Sequence, residues 1–202
     1  MTLELQVKKD NPKVLHLFWD GELWKSVSKS LFINEVKKFP PGLTWEELNS
    51  RFSAAEEKLA KRYVLFLLSR RSLLSSEVEA KLLDRGISSD CVNRIVEFCV
   101  KEGYLNDPNQ IERFFSRELK KGRPAKAAYF KIKQKGVSCS DLRAHYEHAL
   151  TSERDALLKW LEKNKKKINR DDPKEMRKWI AKLCRRGFST EIVLRELATK
   201  DL

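Results

Sequence analysis

The chain has 202 residues, 41% of them hydrophobic and 35% charged, which suits a soluble, largely helical protein and excludes a disordered or collagen-like one. Lys and Arg outnumber Asp and Glu by 42 to 29, a net charge of +13, which fits either a field that attracts a polyanion, nucleic acid or an acidic protein surface, or simply a soluble basic helical surface. Residues 1–50 are balanced at seven basic and seven acidic side chains, so all the excess lies in 51–202, where it climbs from about +2 over 51–104 to +5 over 105–151 and +6 over 152–202. The longest apolar run, Tyr63 to Leu68, is far too short to cross a bilayer. Neither a charged n-region nor an apolar h-region follows Met1. The four cysteines, Cys91, Cys99, Cys139 and Cys184, match no metal-ligand spacing, and free thiols in a reducing cytoplasm are expected.

In chain order, Lys13 to Trp19 and Leu23 to Val27 are β-branched and aromatic, and Asp20-Gly21 between them favours a type I′ hairpin turn. Leu3 to Val7 is a third strand. A short helix follows at 30–37, Phe39-Pro40-Pro41-Gly42 breaks the chain, and Thr44-Trp45-Glu46-Glu47 resembles a capped helix start.

Beyond this point one pattern recurs. Arg85-Gly86-Ile87-Ser88, Lys135-Gly136-Val137-Ser138 and Arg186-Gly187-Phe188-Ser189 place their glycines 50 and 51 residues apart, the spacing of a tandem repeat. Three helices are expected per repeat: 54–70, 75–85 and 89–101; 107–121, 124–135 and 139–149; 153–167, 173–186 and 190–199. Aligned on the glycines, apolar residues recur at −8 (Val78, Ala128, Trp179), −4 (Leu82, Ile132, Leu183), +6 (Val92, Leu142, Val193) and +10 (Val96, Tyr146, Leu197), as on buried helix faces. Each glycine suits a helix end needing left-handed φ, and each serine suits the cap of the next helix. The fold class is therefore mainly α, with about nine helices in a curved, elongated array behind a small N-terminal antiparallel β element. Its expected domains are 1–50, a β-rich extension with linker, and repeats at 51–104, 105–151 and 152–202.

The alignment exposes a second register. Lys81 and Arg85, Lys131 and Lys135, and Lys182 and Arg186 stand four apart, each pair on one helix face. Basic side chains there also stabilise a helix C-terminus. Further basic residues gather at the joint between the first and second helices: Arg70 and Arg71; Lys120, Lys121, Arg123 and Lys126; and Lys163, Lys165, Lys166 and Lys167, with Arg170. Such clusters suit phosphate contacts that position a protein without reading sequence. No Gly-rich phosphate loop, HExxH or GxSxG is present, so neither catalysis nor a cofactor is expected. His145 and His148 lie three apart without a visible third ligand, so no metal site is expected. Trp160 and Trp179 fall on apolar registers and read as core.

These residues together resemble the RecX family, regulators of the RecA recombinase, over nearly the whole length. The likeness is carried by Leu65-Phe66-Leu67-Leu68-Ser69-Arg70-Arg71-Ser72 leading through Glu77 to Leu83 and Gly86, by Glu102-Gly103-Tyr104-Leu105-Asn106-Asp107, and by Leu183-Cys184-Arg185-Arg186-Gly187-Phe188-Ser189. The chain departs from the family pattern at Gly122-Arg123-Pro124-Ala125 and near Glu112-Arg113. The resemblance implies a cytoplasmic, monomeric, non-enzymatic protein that lodges against RecA filaments on single-stranded DNA. It would modulate, in the inhibitory sense, filament growth and the ATPase, strand-exchange and coprotease activities in DNA repair and the SOS response. DNA binding of its own would be weak and sequence-independent, with the repeated basic pairs and joint clusters facing the filament. The alternatives are a stand-alone nucleic-acid-binding protein of helix-turn-helix type and a structural adaptor with no polyanion partner.

Overall fold

A computed structural model describes residues 2–164 and 172–198. The N-terminal residues form an antiparallel sheet of order β1 (Leu3–Val7), β2 (Val14–Trp19), β3 (Glu22–Ser28). The expected tight turn is there: Asp20 and Gly21 both have positive φ, 46° and 86°, as a type I′ hairpin requires. Alternation buries Leu15, Leu17 and Val27 on one face, against helix α1 (Lys29–Val36) through Phe32 and Val36.

Helix α2 (Trp45–Arg70) starts nine residues earlier than the expected 54. The capping box at its start explains the difference: Thr44 Oγ1 accepts from the Glu47 N–H at 3.3 Å, and Glu47 accepts from the Thr44 N–H at 2.9 Å. From there a continuous stripe of Leu48, Phe52, Ala55, Leu59, Ala60 and Val64 faces the core, so the composition change at residue 50 falls inside an unbroken helix. Trp24 and Phe32 meet Phe52 with ring centroids 5.0 and 5.5 Å apart, tying sheet, α1 and α2 into one core. Helices α3 (Ser75–Leu83) and α4 (Ser89–Lys101) complete this first compact unit, residues 1–106.

The second unit, residues 107–202, holds α5 (Asp107–Lys120), α6 (Ala125–Lys133), α7 (Cys139–Thr151), α8 (Glu153–Asn164), α9 (Pro173–Arg186) and α10 (Thr190–Ala198). Ten helices and one three-stranded sheet thus make up the described residues, the mainly α architecture expected. Pro124 stands at the N-cap of α6 instead of inside it. It has no side-chain acceptor, and Glu153 of α8 takes the Ala125 N–H instead, at 3.2 Å.

The three glycine joints have the expected geometry, with φ of +77°, +87° and +105° at Gly86, Gly136 and Gly187. At the first and third, the residue after the glycine bonds back five residues, Ile87 N–H to Leu82 O and Phe188 N–H to Leu183 O. Leu82, Ile132, Leu183, Val92, Leu142 and Val193 are all buried, as the alignment requires. The serines behave differently from one another. Ser138 caps α7, accepting from the Asp141 N–H. Ser88 does not cap α4 with its side chain, because its hydroxyl is already donating to Glu56 Oε2 at 2.7 Å while its N–H donates to Glu56 Oε1 at 2.8 Å.

Candidate nucleic-acid interface

In the first unit, Arg70 ends α2 exposed, its guanidinium 5.6 Å from the ring of Phe66, which is itself half-exposed. Arg71 lies 3.8 Å from Glu77. Lys81 is half-buried on α3. Arg85 does not stand free beside it: Nη1 donates to Ser28 Oγ at 3.1 Å and Ser30 Oγ at 3.4 Å, and the guanidinium lies 5.2 Å from the Tyr63 ring. The Arg85 carbonyl also accepts from the Ser28 N–H at 2.9 Å. Strand β3 is thereby docked on the first glycine joint, and Arg85 serves that docking.

In the second unit the basic residues of two sequence registers meet on one acid. Glu118, with 4% of its side chain exposed, accepts from Arg123 Nη1 and from Lys131 Nζ at 3.0 Å on Oε2, and from Lys121 Nζ at 3.3 Å on Oε1. Burial pushes this carboxyl up, but the hydrogen bonds from Arg123, Lys131 and Lys121 outweigh it and hold the pKa at about 2. The three cations keep 52% (Lys121), 47% (Arg123) and 48% (Lys131) of their side chains open to solvent. A joint cluster and half of a repeated pair, separate in sequence, are therefore one site.

Around it the repeats of this unit interlock. A Cβ on Gly122, where φ is +74°, would lie 3.3 Å from the Cβ of Trp160 and from the Ala156 carbonyl, so glycine suits both the left-handed backbone and the close approach of α8. Trp160 and Trp179 pack with centroids 5.6 Å apart, Trp160 buried as expected and Trp179 half-buried. Arg186 lies 5.1 Å over Trp160 and Lys182 4.1 Å over Trp179, so this pair rests on aromatic faces. Lys126 is exposed beside Gly187. Lys135 is half-buried, and Lys120 and Lys163 are exposed at the ends of α5 and α8. Lys165, Lys166, Lys167 and Arg170 lie outside the described residues.

Four buried acids organise these surfaces without having been singled out in sequence. Besides Glu118 and Glu56 they are Glu153 and Glu196. Glu196 accepts from Arg154 Nε at 2.8 Å and Arg195 Nε at 3.2 Å; the Arg154 bond holds its carboxyl below the usual range against the opposing effect of burial. Glu153 is pushed up by burial, partly offset by the Ala125 and Ser189 N–H groups. The available signal was an acid on an apolar register, as Glu118 stands between Phe115 and Leu119 on α5.

All four cysteines are free thiols. His145 and His148 border a cleft of about 260 Å³ with Glu112 and Asp155, and among the described residues no group of three or more His, Cys, Asp or Glu is placed to hold a metal. Among those residues, too, no helix is long and apolar enough to cross a membrane.

A family model described as RecX, third three-helix domain, matches residues 152–197, the segment of α8 to α10. The chain is 23% identical over 196 residues to the regulatory protein RecX of Caldanaerobacter subterraneus, covering 95% of each. It is 26% identical over 170 residues to that of Mycobacterium ulcerans, covering 80% of this chain and 94% of the relative. A crystal structure of a regulatory protein RecX superposes with a TM-score of 0.61 at 17% identity, covering 95% of this chain and 96% of the other. That of RecX from Lactobacillus salivarius gives 0.62 at 22%, covering 71% and 97%.

Proposed function

We propose, from its similarity to regulatory RecX proteins, that the chain binds the RecA recombinase and RecA filaments on single-stranded DNA and restrains them. It acts by binding, as a cytoplasmic monomer, and lowers filament growth, ATP hydrolysis, strand exchange and coprotease activity. The observation that carries the reading is the convergence of basic joint residues in the second unit, where Lys121, Arg123 and Lys131 share Glu118 and remain half-open to solvent. A cationic face of this kind matches an acidic filament carrying DNA.

The test is single-strand-DNA-dependent ATP hydrolysis by RecA, with filament length followed in parallel, as this protein is added up to stoichiometry. Hydrolysis and length should both fall. If neither responds, the proposal fails. The helix-turn-helix alternative predicts instead tight or sequence-selective DNA binding without RecA, and a salt titration on DNA alone separates the two.

A further inference from the structure

Glu118 poses a question that polyanion binding alone does not answer. A surface meant simply to be positive gains nothing from a carboxylate at its centre. Here the acid sits buried at the end of α5, and its neighbours reach it from three places: Lys121 from the turn, Arg123 from beyond Gly122, Lys131 from the last turn of α6. Three cations brought this close repel one another, and long side chains lose rotamer freedom when a ligand immobilises them. A buried acceptor removes both costs beforehand: it offsets the repulsion and fixes each head group while the ligand-facing donors stay solvated. Each cation spends one donor on Glu118 and keeps others for a ligand. The cluster carries a net charge of +2, so an anion is still attracted.

We propose that Glu118 is a positioning residue that arranges Lys121, Arg123 and Lys131 into a preformed receptor for one phosphodiester group of a single-stranded nucleic acid. A phosphodiester offers two non-bridging oxygens that share one negative charge to a guanidinium fork and two ammonium groups, which match it bidentately and as point charges. Nucleic acid is favoured over an acidic protein surface by Phe130. This ring precedes Lys131 on α6, is 51% exposed, and packs edge-on to Tyr129 at 5.7 Å, a platform on which a base can stack. The inference rests on the polyanion half of the proposed function and not on RecA.

The experiment measures binding of a fluorescent oligothymidylate by anisotropy, without RecA, across a salt series. Simple electrostatics and preorganisation predict opposite results for Glu118→Gln, which raises the net charge by one. Preorganisation predicts binding about tenfold weaker, with the log–log salt slope reduced by about one contact. Glu147→Gln on α7, which frees Arg143 and adds the same charge away from the cluster, should bind as tightly as the parent or tighter. Arg123→Lys keeps the charge and can still pair with Glu118, yet should bind about threefold more weakly because the fork is lost. It decides the matter if Glu118→Gln loses its helical circular dichroism. Glu118→Gln binding as well as or better than the parent, unchanged binding by a folded Arg123→Lys, absence of salt-dependent binding by the parent, or equal competition by polyglutamate would each overturn the receptor. Because RecA is absent, such a failure leaves the ATPase result standing, and a failed ATPase result leaves the receptor standing.

Discussion

Replacing Gly86 by alanine tests the docking of β3 on the first joint. The new Cβ would overlap the Ser26 carbonyl oxygen and lie 2.8 Å from the Val27 Cα, both backbone atoms. Neither can swing aside, since Ser26 and Val27 are paired with His16 and Leu15 across the sheet. Left-handed φ costs an alanine about 1–2 kcal/mol. Pushing β3 outward adds about 1–3 kcal/mol of overpacking and endangers the Ser28 N–H bond to Arg85, worth about 1 kcal/mol. The sum is about 3–6 kcal/mol. Gly103 is the control: its φ of +74° is nearly that of Gly86, +77°, but nothing lies within 4 Å of its Cβ position. Gly103→Ala should therefore cost only the backbone strain, about 1–2 kcal/mol, and the unfolded-state entropy change cancels between the two. Urea unfolding followed by tryptophan fluorescence reads the difference, since Trp19, Trp24 and Trp45 all sit around the sheet. Equal destabilisation of the two variants would refute the docking argument.

The Glu118 carboxyl is held at about 2, below the ordinary 4.5, so its stabilisation is complete above pH 4.5 and is lost as pH falls toward 2. The shift corresponds to at most about 3 kcal/mol, which solvent around the half-exposed partners reduces to about 1–2 kcal/mol, and the stability gap between parent and Glu118→Gln should close over that interval. Glu56→Ala leaves the Ser88 N–H and hydroxyl without their acceptor and should cost about 2 kcal/mol in urea unfolding, with α4 losing amide protection first. Cys139 is exposed, and hydrogen bonds from Tyr129 and Lys133 hold its thiol below the usual range, whereas burial pushes Cys91 up to about 11. Iodoacetamide followed by peptide mapping should therefore modify Cys139 well before Cys91 and Cys99, which should react only on unfolding.

How much of this was legible beforehand follows the range of the forces. Glycines needing positive φ, the four-residue apolar rhythm and the Asp20-Gly21 turn are local constraints, and all were readable from neighbouring residues. The early start of α2 was half-legible: Thr44 and Glu47 marked the cap, but only burial of Leu48 and Phe52 against sheet and α1 carries the helix through to Arg70. The basic residues were legible as charges and not as a site. Position along a helix could not say that Arg85 turns onto Ser28, that Lys182 and Arg186 lie over tryptophans, or that Lys121, Arg123 and Lys131 share one carboxylate. By itself, then, the sequence determined the helical repeat, its joints and the sign of the surface charge, since propensity, periodicity and charge reside in the chain. Tertiary structure alone decided which cations are spent on the fold and which are presented together, because a buried acid on an apolar stripe acts only on the partners that packing brings within hydrogen-bond reach.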